Sequence, residues 1–184
     1  MDVGTYYVWV GGSCDYAHKE RVGGGTYIME KDNKVIDTYV TADMGTTEFR
    51  MMLIVMLHAM ANVPDCSNIV FLTNVSYIQN FDKEPTDSSA NADLVRECIA
   101  TKRRHCSAVV RIVPYHKYHQ LPNTHDMAHE AMLKLRNRKD RVYLSLRKSF
   151  LSSPPKMAPM TLPRTLNTRM KTMSPTTSFI TIYV

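Results

Sequence analysis

Two carboxylates stand where helices are expected to begin. Glu48 follows Thr46-Thr47 and opens an apolar run of helical period, and Asp126 follows Asn123-Thr124 at the start of a later helix. The helix dipole favours an acid at either place, and the same oxygens are hard ligands for Mg²⁺ or Mn²⁺. Around Asp126 lie His116, His119, His125 and His129. His125 and His129 sit at i and i+4 on one helix face, a spacing zinc uses, but no cysteine pair or third ligand joins them. Gly23-Gly24-Gly25 has the composition of a phosphate loop. It precedes a strand instead of a helix and no Lys-Ser/Thr follows, so a flexible turn is expected. Cys14 lacks the paired base that a nucleophilic thiol needs. With Cys66, Cys98 and Cys106 it forms no CxxC pair, the pattern of reduced thiols in a cytoplasmic protein.

The elements that would position these residues follow from the patterning. Tyr6 to Val10 is aromatic and β-branched throughout, as in a central strand. Strands are expected around Thr26 to Glu30 and Val35 to Val40, made antiparallel by the short turn Lys31-Asp32-Asn33-Lys34. Phe49, Met52, Leu53, Met56, Leu57 and Met60 mark one face of a helix that Thr46 or Thr47 caps and that ends before Pro64. Then come a strand at Ile69–Leu72, a short helical piece at Val75–Phe81, and a helix at Ala92–His105. A strand at Ala108–Val113 and a helix from about Asn123 or Thr124 to about Leu135 complete the order. The order β-β-β-α-β-α-β-α predicts an α/β fold: a five-stranded mixed sheet covered by helices, its last two strands parallel.

Charge divides the chain. Residues 141–184 carry seven Lys/Arg and no acid, whereas residues 1–140 carry sixteen basic and seventeen acidic groups. A near-neutral domain over 1–140 and a basic Pro/Ser/Thr/Met-rich extension over 141–184 are therefore expected. Most of Leu151–Thr177 is expected to be disordered, with a β-prone patch at Ser178–Val184. No stretch reaches the ~18 apolar residues of a membrane span, so no membrane partner is expected. The acid-free basic segment suits a polyanion.

This order, with the residues at its joints, resembles the type-I ribonuclease H family over about Val3 to Lys139. Val8-Trp9-Val10-Gly11-Gly12-Ser13-Cys14 is similar to the family's first strand, which ends in Asp-Gly-Ser. Phe71-Leu72-Thr73-Asn74-Val75-Ser76-Tyr77 is similar to its Thr-Asp-Ser stretch. His116 through Asp126-Met127-Ala128 resembles its histidine loop and terminal aspartate, and Glu48 its helix glutamate.

The resemblance implies two-metal hydrolysis of the RNA strand of an RNA–DNA hybrid, with two Mg²⁺ about 4 Å apart held by four acids. It implies Glu48, Asp126 and His116 as the catalytic remnant, with Glu48 and Asp126 as metal ligands, while Gly11 and Asn74 stand where aspartates belong. Such a set predicts weak or absent Mg²⁺ or Mn²⁺ binding. Met44-Gly45-Thr46-Thr47 replaces the family's paired asparagine before the glutamate. Ser13, Cys14, Thr47, Lys102, Arg103 and Arg104 are the candidate nucleic-acid contacts.

The expected function is binding of an RNA–DNA hybrid, duplex or single strand, with hydrolysis lost or impaired. An active metal-dependent ribonuclease H drawing a substitute acid from Asp15 or Asp43 is the alternative. A structural or protein-interaction domain is a third class.

Overall fold

The computed structural model describes residues 4–152, with side chains through Asp140 except at position 139. Strands β1 (Thr5–Asp15), β2 (Val22–Lys31) and β3 (Lys34–Met44) come first. Helix α1 (Glu48–Ala61), β4 (Asn68–Thr73), α2 (Ala92–Lys102), β5 (Ser107–Ile112) and α3 (Gln120–Ser152) follow. The sheet runs β3-β2-β1-β4-β5. β1 pairs antiparallel with β2 and parallel with β4, β2 pairs antiparallel with β3, and β4 pairs parallel with β5. β1, apolar from Tyr6 to Val10, is central, and the two strands reached through helices are parallel, as the element order requires.

Both faces of the sheet are covered. Val8 and Val10 of β1 and Phe71 of β4 point into a core with the methionine-rich face of α1 and with Val95 and Cys98 of α2. On the opposite face Trp9, Ile28, Val70 and Leu72 pack with Leu121 of α3, and the Trp9 ring lies 5.1 Å from that of Tyr118. Burying both faces is what makes β1 apolar at consecutive positions instead of alternating ones.

Three expectations change. Gly23-Gly24-Gly25 is not a turn; it lies within β2, and all three residues are buried. The reason is close approach. A Cβ on Gly24 would stand 2.0 Å from the Ala128 carbonyl oxygen of α3, and one on Gly25 would stand 2.9 Å from the Met51 oxygen of α1. The run lets a helix settle on each face of one strand.

The second change concerns α2, which stops at Lys102 instead of His105. The third concerns α3, which spans Gln120–Ser152 instead of ending near Leu135. Pro122 falls in its first turn, where a missing N–H costs nothing. No Gly or Pro interrupts the chain from Arg141 to Ser152, and Pro154-Pro155 follow. The first part of the expected extension is therefore helical. The disorder expected beyond it and the terminal β-prone patch lie outside the described residues. The piece expected at Val75–Phe81 is a single 3₁₀ turn, Ser76–Asn80.

Candidate functional site

β1 and β4 run parallel in the register Trp9↔Leu72. Two residues further along each chain stand Gly11 and Asn74, and both line one cleft at the carboxyl ends of these strands. The cleft has a volume of about 260 Å³, and Gly12, Glu48, Val75, Tyr115, Leu121 and His125 complete its wall. Glu48 is the first residue of α1. Thr47 caps the helix, its hydroxyl accepting the Arg50 N–H at 3.2 Å. The positive end of the α1 dipole thus meets the Glu48 carboxylate at the cleft wall.

At Gly11 a Cβ would stand 2.8 Å from both the carbonyl carbon and Oγ1 of Thr124, and 2.9 Å from its Cβ. Thr124 is fully buried, and its hydroxyl donates to the Leu121 carbonyl at 2.9 Å. The space that a strand-one aspartate would need is filled by α3 itself.

α3 turns Leu121, Thr124, Ala128 and Met132 inward, at i, i+3, i+7 and i+11. That phase decides which neighbour faces the site. His125 lines the cleft, and its Nδ1–H donates to the Gly12 carbonyl at 3.2 Å. This bond leaves the neutral ring's lone pair on Nε2. Asp126 is exposed and does not line the cleft; it lies two positions from Thr124, about 200° around the helix. His116 is likewise exposed, in the 3₁₀ turn Tyr115–Lys117, and Tyr115 takes the cleft position beside it. Of the remnant set, the structure brings only Glu48 to Gly11 and Asn74.

The other expected contacts are committed elsewhere. The Ser13 hydroxyl is buried against His129 Nδ1 at 3.2 Å. The Cys14 thiol donates to the Thr46 carbonyl at 3.7 Å, and burial raises its pKa. Lys102 pairs with Asp82, and Arg104 holds Asp65 through two nitrogens at 2.6 and 2.9 Å. Arg103 is exposed. These three basic residues lie at the end of α2 and between it and the start of β5, the end of the sheet opposite the cleft, and so do not border it.

The substitute acids are no nearer. Asp15 binds Arg136 at 2.8 Å and accepts the Ala17 and His18 N–H groups, and the Arg136 hydrogen bond leads in lowering its pKa. Asp43 lies on the edge strand β3 and caps its own neighbour, Met44 N–H, at 2.7 Å. Among the described residues no group of three or more His, Cys, Asp or Glu side chains converges to hold a metal ion.

His125, which the sequence offers only as half of a zinc-spaced pair, owes its place at the cleft to helix phase, not residue type: it flanks the inward stripe that begins at Leu121. Tyr16 and Tyr77 were missed. They border Glu48 with Phe49 in a second, more open hollow of about 410 Å³.

No family model matches the chain. No curated protein matches it either. Among solved structures it is similar to LC9-RNase H1, described as a type 1 RNase H with the type 2 active-site motif. The TM-score is 0.57 at 19% identity, over 72% of this chain and 74% of that one. The five-stranded mixed sheet with its helices is consistent with that likeness: the chain has a ribonuclease H-like fold.

Proposed function

We propose that the protein is a ribonuclease H-like nucleic-acid-binding protein in which hydrolysis of RNA–DNA hybrids is lost or impaired. The observation that carries this reading is Thr124 packed against Gly11, where the clash distances of 2.8 Å leave no room for a side chain. A missing aspartate could be a recent loss on an intact scaffold. A refilled position is a site rebuilt without one.

The two Mg²⁺ ions that the fold family uses do not fit these residues. The cleft offers one carboxylate, Glu48, one amide, Asn74, and one imidazole, His125. A single negative charge does not offset two dications, and imidazole suits softer metals than Mg²⁺. Cation binding at this cleft is therefore weak or absent, and no hydrolytic step is assigned to it. What remains is a polar cleft at the strand ends with an amide, an imidazole edge and an aromatic ring, Tyr115, able to hydrogen-bond and stack. The alternative of an active enzyme needs a second acid, and Asp15 and Asp43 are both engaged away from the cleft.

The test is direct. Labelled RNA–DNA hybrid, duplex and single strands are titrated at low salt, and the hybrid is incubated with Mg²⁺ or Mn²⁺. Binding without cleavage is expected. Cleavage that Glu48→Gln abolishes would overturn the loss of hydrolysis, and absence of binding to every nucleic acid would leave a structural or protein-interaction domain.

A further inference from the structure

The cleft accounts for neither Tyr16 nor Tyr77. Both are large rings left open to solvent, 58% and 48% exposed. They bound the hollow beside the cleft together with Phe49 and Glu48. Phe49 and Tyr77 meet edge to face with centroids 5.7 Å apart. The Tyr16 hydroxyl accepts the Glu48 N–H at 3.3 Å, which ties the first connection of the sheet to the start of α1. Three rings around a carboxylate, in an open hollow, present π-faces to a flat ligand and an acceptor to its edge.

We propose that this hollow holds one unpaired nucleobase bearing an amino group, so that the protein binds single strands through it. The inference rests on the nucleic-acid-binding reading above. Stacking on aromatic rings is how single strands are held, and a base inside a duplex cannot reach such a hollow. A carboxylate accepts from the amino group of cytosine but meets carbonyl oxygens on thymine or uracil, so the edge is discriminated.

Charge complementarity supports a polyanion as occupant instead of an apolar peptide. The connection that carries Tyr16 continues into Lys19-Glu20-Arg21, which borders the next hollow with Met44 and Gly45 and sets one acid between two cations. Neither cation forms an ion pair among the described residues. Arg21 is held at a φ of +46°, a conformation unfavourable for any residue with a side chain. Backbone bonds from Gly45 N to Glu20 O (2.7 Å) and from Thr46 N to Arg21 O (3.2 Å) fasten it there. A fastened, strained loop that carries Tyr16, and whose two cations outnumber its one acid, suits a phosphate backbone whose base enters the aromatic hollow.

The test uses the full-length protein and fluorescein-labelled 12-mers of oligo-dC and oligo-dT and a mixed duplex, read by anisotropy at low salt. Oligo-dC should bind more tightly than oligo-dT. Tyr16→Leu and Tyr77→Leu, which keep bulk but lose the ring, should each weaken oligo-dC binding about tenfold. Duplex binding should not change. Thermal denaturation verifies that each variant folds, and Tyr16→Met and Tyr77→Met, which also lack the ring, give the comparison if a leucine variant does not. If the protein binds nucleic acid but the ring variants bind oligo-dC as well as wild type, the base pocket is overturned and the wider reading stands. If neither these strands nor the RNA–DNA hybrid bind, both fall, and the hollow is left to a protein partner.

Discussion

Position 11 offers the sharpest perturbation. Introducing a methyl group there, Gly11→Ala, puts a carbon 2.8 Å from the Thr124 carbonyl carbon, a backbone atom of α3 that cannot rotate away. The helix must lift or β1 must bend. Forcing an extra carbon into a packed interior costs about 1–3 kcal/mol. For a domain of this size that is a fall in Tm of roughly 2–4 °C for each kcal/mol.

Gly11→Asp carries the same clash and adds a charge beside the fully buried Thr124, so it should lie at the upper end of the range or beyond. Asn74→Asp meets no such obstacle, since Asn74 is exposed at the cleft. The pair Gly11→Asp and Asn74→Asp should therefore restore the family's acids in name without restoring Mg²⁺-dependent cleavage. Urea denaturation followed by circular dichroism measures the first effect, and hybrid cleavage measures the second. A Gly11→Ala protein within about 0.5 kcal/mol of wild type would show that α3 yields freely, and the argument from filled space would fail. Cleavage by the double variant would defeat it outright.

Other outcomes follow from the same contacts. If the segment after Ser152 tethers nucleic acid, ending the chain there removes Lys156, Arg164, Arg169 and Lys171. The slope of log affinity against log salt on duplex should then flatten by up to roughly 3–4, and an unchanged slope would dismiss the tether. Asp15→Asn should remove an acid-sensitive part of stability. The pKa of Asp15 is held below its ordinary value by Arg136, so the pair stabilises the fold above the usual aspartate range and its contribution is lost as pH falls through the lowered pKa. Urea midpoints should therefore fall more between pH 7 and pH 3 in wild type than in the variant, and equal falls would argue against the pair. In a thiol-reagent titration Cys66 and Cys106, both exposed, should react first. Cys98, whose thiol burial pushes up to about 12, should react only on unfolding. Early labelling of Cys98 would contradict the packing of α2 on the core.

Much of the site lay open in the primary structure because it depends on local period and residue type. The apolar run Tyr6–Val10 already required a strand covered on both faces. The stripe from Phe49 to Met60 required a helix with Glu48 in its first turn and Thr47 as its cap. That Gly11 and Asn74 stand where the resemblance would place aspartates could be read from the two matched strand ends without coordinates. Three things needed the folded chain. Which residue of α3 faces the cleft turns on about 100° of helix phase, and the family resemblance favoured Asp126 over its neighbour His125. Whether Lys102 and Arg104 are available to a polyanion depends on Asp82 and Asp65, which reach them only in the fold. Whether the space at Gly11 is open or filled depends on how closely α3 approaches β1. Helix-to-sheet distance is set by the summed packing of residues far apart in the chain, with Gly24 meeting Ala128 and Gly11 meeting Thr124. Sequence determined that position 11 bears no side chain at the end of the first strand; only tertiary packing decided that the space beside it is filled by Thr124.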